Sequence, residues 1–199
     1  MRARLIANPS SGTDRAPTLL PLAAERLRSL LTDLDITITT NEADVERAAT
    51  RAVEEGSDLL LVAGGDGTVN AAVRSVAAIN GGLERIVFGI IPTGTGNDFA
   101  KALDVGEQPE PAIDLVLDAH FVDVDLGVLN ERAFVNISAG GFVADVSATL
   151  TEELKDAAGK LAYVIGGAEE CRYVVRRRAA RFLCGPHPQA GASPRPWLV

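Results

Sequence analysis

Hydrophobic positions along the first hundred residues fall into two alternating patterns. Apolar runs of strand length recur at residues 2–7, 36–38, 58–63 and 86–91. Stretches with apolar residues at helical spacing follow these runs, at residues 17–31, 43–55, 68–78 and 97–103. The third strand run is continuously apolar at its centre, which is typical of a strand covered on both faces. Four strand–helix repeats predict an α/β fold, a three-layer domain with a mostly parallel sheet.

The pattern changes near residue 120. Apolar residues alternate with polar or small ones from Val122 to Val128, and a turn signal at Asn130 and Glu131 separates them from a second run that begins at Phe134. This arrangement predicts a β-hairpin. We expect the hairpin to open a different, antiparallel domain.

A third change occurs near the end of the chain. A helical stretch covers residues 159–178, and four of the ten prolines then fall between Pro186 and Pro196 without any periodicity. The sequence therefore predicts three segments: an α/β domain at residues 1–120, a partial β-rich domain at 121–182, and a disordered or aberrant tail at 183–199.

The loop after the third strand run contains three glycines within four positions, in the sequence Gly64-Gly65-Asp66-Gly67-Thr68. Glycine lets the backbone approach a bulky anion, and the helix predicted after the loop would present free N–H groups and its positive dipole end. Thr68 adds a hydroxyl donor. A carboxylate at Asp66 repels phosphate directly, so it indicates a bridging Mg²⁺. The alternative is a tight β–α turn with Asp66 as the helix cap, and the loop alone favours neither.

Two further turns share this chemistry. Residues 92–98 place small residues, hydroxyls, an amide and a carboxylate after the next strand run, and residues 8–12 place two serines and a glycine after the first. Three such turns at the carboxyl edge of one parallel sheet suit a triphosphate. The sequence contains neither the G-x-x-x-x-G-K-[ST] pattern of Walker-type ATPases nor a G-x-G-x-x-G at this loop.

These segments resemble a known family. GGDGTVN at residues 64–70 resembles the signature of the diacylglycerol and sphingosine kinase superfamily. PTGTGNDFA at 92–100 resembles the second signature of bacterial diacylglycerol kinases, and NPSSG at 8–12 resembles their N-terminal nucleotide loop. NISAGGFVA at 136–144 and LAY at 161–163 resemble the entry into the family's β-rich second domain. The resemblance therefore implies a nucleotide-binding domain followed by an incomplete antiparallel β-sandwich domain. The resemblance covers roughly residues 1–180, and three motifs in the family's order make it specific.

The resemblance implies a two-domain kinase that uses ATP and Mg²⁺ to phosphorylate a lipid hydroxyl, above all that of diacylglycerol. Its nucleotide contacts would be Asn8, Pro9, Ser10, Ser11, Gly12, Thr40, Gly64, Gly65, Asp66, Gly67, Thr68, Val69, Asn70 and Thr95. Asp66 and Asp98 would be the catalytic carboxylates that organise the magnesium and the phosphates. The resemblance also implies a lipid substrate at the membrane surface, and a cytoplasmic protein peripheral to the inner face of the membrane.

The chain departs from the family pattern in two respects. Family members commonly carry Glu after the position of Asn70, where this chain has Ala71. The family's general base belongs to a segment that nothing after Arg181 matches. We therefore expect this chain to bind ATP and to transfer phosphate to lipid slowly.

Two alternatives remain. NAD kinases and phosphofructokinases share the Gly-Gly-Asp-Gly turn and act on soluble substrates, although the loop at 92–98 fits lipid kinases better. The other alternative is a non-catalytic ATP-binding fragment.

Charge refines the choice of partners. The net charge of -8 argues against a nucleic-acid partner. Residues 171–199 nevertheless carry six arginines and no acidic residue, so this segment could contact anionic lipid headgroups. Arg74 and Lys101 are further cations that could reach a phosphate, and no apolar run reaches the length of a membrane span. An oligomer is compatible with the sequence.

Overall fold

A computed structural model of the chain describes residues 1–10, 16–118, 120–129, 131–135 and 178–186. All of them belong to one compact unit. Its strands are β1 (Arg2–Ala7), β2 (Asp33–Ile38), β3 (Leu59–Gly64), β4 (Val87–Pro92), β5 (Phe121–Leu129), β6 (Arg132–Phe134) and β7 (Arg178–Leu183). Its helices are α1 (Ala16–Leu30), α2 (Glu42–Glu54), α3 (Asp66–Ala77), α4 (Gly82–Arg85), α5 (Asp98–Ala102) and α6 (Pro109–Asp118).

The strands form one sheet in the order β2-β1-β3-β4-β7-β5-β6. The first five strands of this order are parallel, whereas β7-β5 and β5-β6 are antiparallel pairs. The predicted α/β class with a mostly parallel sheet is confirmed. Because β1 lies between β2 and β3, the strand order reverses at β1 and β3. Ligands of open α/β sheets bind outside the carboxyl ends of the strands at such a point.

Strand β3 lies at the centre of the unit, and all six of its residues are buried. Side chains alternate across a strand, so Leu60 and Val62 join the apolar faces of α2 and α3, while Leu59, Leu61 and Ala63 join α1 and α6 on the other side. Burying one such leucine contributes about 1.5–3 kcal/mol. This two-sided burial explains the continuous apolar run in the sequence.

Strand β7 is the element that the sequence pattern does not predict. The pattern suggests a helix up to Arg178 and an irregular tail from residue 183, yet Arg178–Leu183 is a strand between β4 and β5. Phe182 is fully buried, with its ring stacked on Phe88 at a centroid distance of 5.2 Å and edge-on to Phe99 at 5.0 Å. Leu183 is buried as well, so the first residue of the predicted tail belongs to the core.

The predicted hairpin is present as β5 and β6, which pair between Gly127 and Phe134. It is continuous with the first sheet, because β7 joins β5 to β4. The domain boundary at residue 120 stays a prediction, since most of residues 121–182 lie outside the described residues. Helices α4 and α6 are absent from the predicted pattern. Helix α4 has only four residues, and α6 has prolines at its first and third positions, which weaken a helical signal.

No helix in the described part of the chain has the length and apolar character needed to cross a membrane.

Candidate functional site

The two glycine loops, residues 64–68 and 93–97, touch each other at the carboxyl ends of β3 and β4. The Thr93 N–H donates a hydrogen bond to the Gly64 carbonyl at 3.2 Å. A Cβ on Gly94 would lie 2.4 Å from the Cα of Gly65, a distance that real structures do not show. Gly94 is therefore required for the contact between the loops, and a Cβ on Gly65 would lie at a tight 3.2 Å from the Gly94 Cα.

Asp66 connects the first loop to the helix that follows the second. Its Oδ2 accepts a hydrogen bond from the Asp98 N–H at 3.2 Å, and its Oδ1 accepts one from the Phe99 N–H at 3.0 Å. Asp66 therefore caps α5, a helix distant in sequence. The alternative predicted from the sequence was a cap of the helix that directly follows the loop. A carboxylate suits this place because it accepts from N–H groups that α5 itself leaves unpaired.

The amino end of α3 has no side-chain cap. Its N-cap residue is Gly65, and no side chain in the described residues makes the capping hydrogen bond there. Gly67 lies in the first turn, is exposed, and has nothing within 4 Å of the position that a Cβ would occupy. The first N–H groups of α3 thus lack a side-chain acceptor among the described residues, next to a glycine that no protein contact requires. That arrangement suits an anion.

Asn97 fixes the shape of the second loop. It is buried and left-handed at φ 52°, a conformation that Asn tolerates better than most residues. Its Oδ1 accepts from the Gly94 N–H at 3.0 Å, and its Nδ2 donates to the Gly94 carbonyl at 2.7 Å. This ring of bonds leaves Thr95 and Gly96 exposed at the loop tip.

The turn after β1 lies beside the first loop. The Asn8 N–H donates to the Ala63 carbonyl at 2.9 Å, and the Asn8 Oδ1 accepts from the Ser10 N–H at 3.0 Å. Pro9 completes the described part of this turn, and the predicted contacts Ser11 and Gly12 lie outside the described residues.

Thr40 belongs to the cap of α2. Its hydroxyl and its N–H both donate to the Asp44 Oδ2, at 2.8 and 3.0 Å, while the Asn41 Oδ1 accepts from the Asp44 N–H at 3.0 Å. Asn41 thus caps α2, and the Asp44 carboxylate reaches back to Thr40, one residue before the cap, instead of to the N–H of the cap residue as in a capping box. The hydrogen bonds from Thr40 lower the pKa of Asp44. Thr40 follows β2, so it lies at the same edge of the sheet as the loops.

The remaining predicted positions differ in exposure. Thr68 is buried, with its side chain against Gly64, and Val69 is buried in the core. Asn70 is half-buried, and its Oδ1 accepts a hydrogen bond from the Val135 N–H at 3.1 Å. The sequence motif includes all three positions, but the helix turns Val69 inward, away from any ligand at the loop.

The two further cations are engaged with acidic residues. Arg74 bridges Glu42 and Glu46 from α3 to α2, and its hydrogen bond to Glu42, followed by that to Glu46, raises its pKa. Lys101 lies 3.1 Å from a Glu107 carboxylate oxygen and 3.8 Å from one of Asp98. Neither cation contributes an unpaired charge to the loops.

The two predicted catalytic carboxylates border one point. A Cβ on Gly96 would lie 3.2 Å from the Asp66 Oδ2 and 3.8 Å from the Asp98 Oδ2. The described residues contain no cluster of three or more His, Cys, Asp or Glu side chains that could hold a metal. Mg²⁺ is usually bound through one or two carboxylates together with substrate phosphates and water, so the donor set fits a magnesium that arrives with its nucleotide.

A family model describing the diacylglycerol kinase catalytic domain matches residues 2–129, which include both glycine loops and Asp66. The chain belongs to this family. It is 36% identical over 168 residues to a diacylglycerol kinase of Staphylococcus carnosus, covering 84% of this chain and 54% of that protein. It is 39% identical over 168 residues to one of Staphylococcus epidermidis, covering 84% and 52%.

The fold is shared as well. A crystal structure of a diacylglycerol kinase from Bacillus anthracis str. Sterne matches with a TM-score of 0.61 and 31% sequence identity, over 68% of this chain and 48% of that chain. The chain spans about half the length of these relatives. Membership of the family therefore applies to the α/β unit described above.

Sequence reasoning missed two links within the α/β unit. The bonds from Asp66 to α5 join positions 32 and 33 residues apart, and the bond from Val135 to Asn70 spans 65 residues. No local pattern signals either contact. The loop sequences indicate that polar groups meet at this edge, but not which atoms are already used by the protein itself.

Proposed function

We propose that this chain is the nucleotide-binding part of an ATP-dependent lipid kinase that transfers the γ-phosphate of ATP to a lipid hydroxyl, that of diacylglycerol. The observation that carries the proposal is the uncapped amino end of α3, with Gly67 open beside it at the point where the strand order reverses. Each other glycine of the two loops has protein atoms near its Cβ position, so a bound ligand is the remaining reason for a glycine here.

The phosphates would lie against the first turn of α3. Backbone N–H groups there and the helix dipole favour negative charge, and the exposed Ser10 and Thr95 hydroxyls border the same edge. We propose the same role for Ser11 and Gly12 by resemblance. Phosphoryl transfer depends chiefly on positioning and on neutralising charge, which is what such loops can provide.

Magnesium would be held by Asp66 and Asp98, with the phosphates supplying further oxygens. When bound, it would neutralise charge that develops on the phosphates. Asp66 keeps its orientation because two backbone N–H groups of α5 bind its carboxylate. The protein thus places one carboxylate in advance and needs no rearrangement at that position.

For the acceptor substrate, the proposal rests on membership of the family. The family implies a lipid hydroxyl at the membrane surface, a cytoplasmic location and peripheral membrane contact. The proposal therefore covers two separate measurements: binding of ATP by the 199 residues, and transfer of the phosphate to a lipid hydroxyl.

The experiment is calorimetric titration of the chain with Mg-ATP, followed by radiolabel transfer from ATP to dioleoylglycerol in mixed micelles and, separately, to NAD. The Staphylococcus epidermidis relative serves as the control for the lipid assay. Binding of Mg-ATP with no label on NAD supports the proposal. Labelled NAD would replace it with a soluble-substrate kinase, and absence of any nucleotide binding would refute it.

A further inference from the structure

The side chain of Asn70 joins the helix of the first glycine loop to the end of strand β6. Its Oδ1 accepts a hydrogen bond from the Val135 N–H at 3.1 Å. Asn70 lies one turn into α3, the helix that begins at Asp66, and Val135 follows β6 directly. Residues 136–177 come next and lie outside the described residues. Asn70 therefore connects the candidate phosphate site to the place where the chain leaves this unit.

The surroundings of this bond are apolar. Ala133 and Val135 are buried in the same cluster as Val69 and Val73 of α3, so β6 packs directly on the helix. A buried backbone N–H needs an acceptor, and in the described residues Asn70 supplies the one for Val135. The requirement at position 70 is thus for an acceptor oxygen.

We propose that Asn70 is a positioning residue, which fixes the end of β6 relative to the first phosphate loop, rather than a ligand of the nucleotide. This inference rests on the proposed function for the identity of the loop's ligand. A phosphate is an acceptor only, so an asparagine that bound it would have to use its Nδ2 donor. The bond to Val135 uses the opposite end of the amide, Oδ1, so it assigns the positioning role, and substitution separates that role from a phosphate contact through Nδ2.

The two roles respond in opposite ways to two substitutions. Asn70→Asp keeps an acceptor at Oδ1 but removes the donor and adds a negative charge beside the loop. Asn70→Ala removes both ends of the amide. A positioning residue tolerates Asp better than Ala, whereas a phosphate ligand tolerates Ala better than Asp. Ser75→Ala is the matched control, because the Ser75 hydroxyl donates only to the Ala71 carbonyl within the same helix.

Amide hydrogen exchange at Val135 and calorimetry with Mg-ATP on the full 199-residue chain supply the two measurements. We expect Val135 to exchange about tenfold faster in Asn70→Ala than in the wild type, because its N–H loses its acceptor. Asn70→Asp and the control should retain slow exchange. Asn70→Asp should also keep its Mg-ATP affinity within about fivefold of the wild type. If Asn70 bound a phosphate, the new carboxylate would repel that phosphate and the loss of affinity would be larger.

Two results would overturn the inference: exchange at Val135 that is unchanged in Asn70→Ala, or a loss of Mg-ATP affinity in Asn70→Asp that exceeds the loss in Asn70→Ala. Should Asn70→Ala fail to fold, Asn70→Asp decides the question, because fast exchange at Val135 or a loss of Mg-ATP affinity beyond about fivefold in that variant would also overturn the inference. A wild-type chain that binds no Mg-ATP would refute the proposed function, while the exchange comparison would still test the link to Val135.

Discussion

The two ends of the parallel strands treat their polar groups differently. At the amino ends, side-chain charges pair with one another. Arg4 is almost fully buried and pairs with Asp35, at 2.8 Å, and with Glu55, while Arg2 pairs with Asp33 at 3.3 Å and its N–H donates to Asp58. Every one of these charges has a partner within the protein, so this edge needs no ligand.

At the carboxyl ends, the polar groups are mostly backbone N–H and C=O groups. The loops satisfy some of them through Asn97 and Asp66, yet the amino end of α3 keeps donors without a side-chain cap. The comparison teaches that an edge closed by ion pairs stabilises the fold, whereas an edge with uncapped donors is open to binding. Substitutions at the two edges should therefore separate stability from affinity.

The largest effect is expected for Asp66→Ala. It should weaken Mg-ATP binding by about a hundredfold, about 2.7 kcal/mol, because a metal-bridging carboxylate is lost. Metal-free ATP should lose far less affinity. Calorimetry with both ligands measures the difference, and Asp66→Asn is the matched variant of equal size. Equal losses for the two ligands would show that Asp66 serves only as the acceptor for α5.

Next comes Arg4→Met at the opposite edge. The free energy of unfolding should fall by about 2 kcal/mol, less than for a fully buried pair, because Asp35 and Glu55 are more than one-third exposed. The buried Arg4 Nε also lacks an acceptor among the described residues, so methionine removes that cost. Urea denaturation gives the stability. Mg-ATP affinity should match that of the wild type. A large loss of affinity would contradict the claim that this edge contributes to stability alone.

Gly67→Ala should change stability and Mg-ATP affinity in opposite directions at a single residue. Alanine in a helix should raise the free energy of unfolding by up to about 1 kcal/mol, since the Cβ meets no protein atom. Mg-ATP affinity should nevertheless fall about tenfold, because the methyl group occupies space that a phosphate needs. The two measurements are urea denaturation and calorimetry on the same preparation. Unchanged affinity would remove the main support for the phosphate site.

Acid should weaken both edges. Hydrogen bonds from Arg51 lower the pKa of Glu55, and those from Thr40 lower the pKa of Asp44. A carboxyl whose folded pKa is depressed stabilises the protein above its unfolded value, about 4, and this contribution disappears as the pH falls through the folded value. The free energy of unfolding should therefore drop between about pH 5 and 3. Denaturation across that range should show a smaller drop for Glu55→Gln and for Asp44→Asn.

The smallest effect is expected for lipid vesicles. The basic segment after residue 171 should give weak binding to anionic vesicles, since the chain as a whole is acidic and Arg181 is paired with Asp123 at 2.9 Å. Co-sedimentation across a salt series measures it. Binding should decline as ionic strength rises, and binding that ignores salt would exclude an electrostatic cause.

Local patterns predicted much of the fold and the location of the candidate site. The bounds of β1 are as predicted, and those of α2 and β3 differ by a single residue, because each has a strong apolar period and a clear glycine or polar stop. Strand β7 escaped prediction. Phe182 of this strand packs on Phe88 and Phe99, which are more than 80 residues earlier in the chain. A local pattern does not contain such distant contacts.

The site shows the same division. The sequence identified the loops, because their glycines and hydroxyl side chains are close together in the chain and directly follow apolar strands. It could not show that Gly94 lies against Gly65, that Thr40 bonds to Asp44 at the start of α2, or that Asn70 bonds to Val135. These assignments depend on distances between segments that are far apart in the chain. Residue type alone does not distinguish them, because a contact with a ligand and a contact within the protein need the same polar side chains.

The position of β7 has a consequence for how this unit is made. The strand lies between β4 and β5 in the sheet, but of the seven strands in the described residues it is the last to be synthesised. A chain emerging from the ribosome thus holds β4 and β5 without the strand that joins them until Leu183 has left the tunnel. During that interval Phe88 and Phe99 lack the ring of Phe182, and two open strand edges stand exposed to other chains. Nascent chains of this protein should depend on chaperones until the final strand is inserted, however stable the finished sheet is.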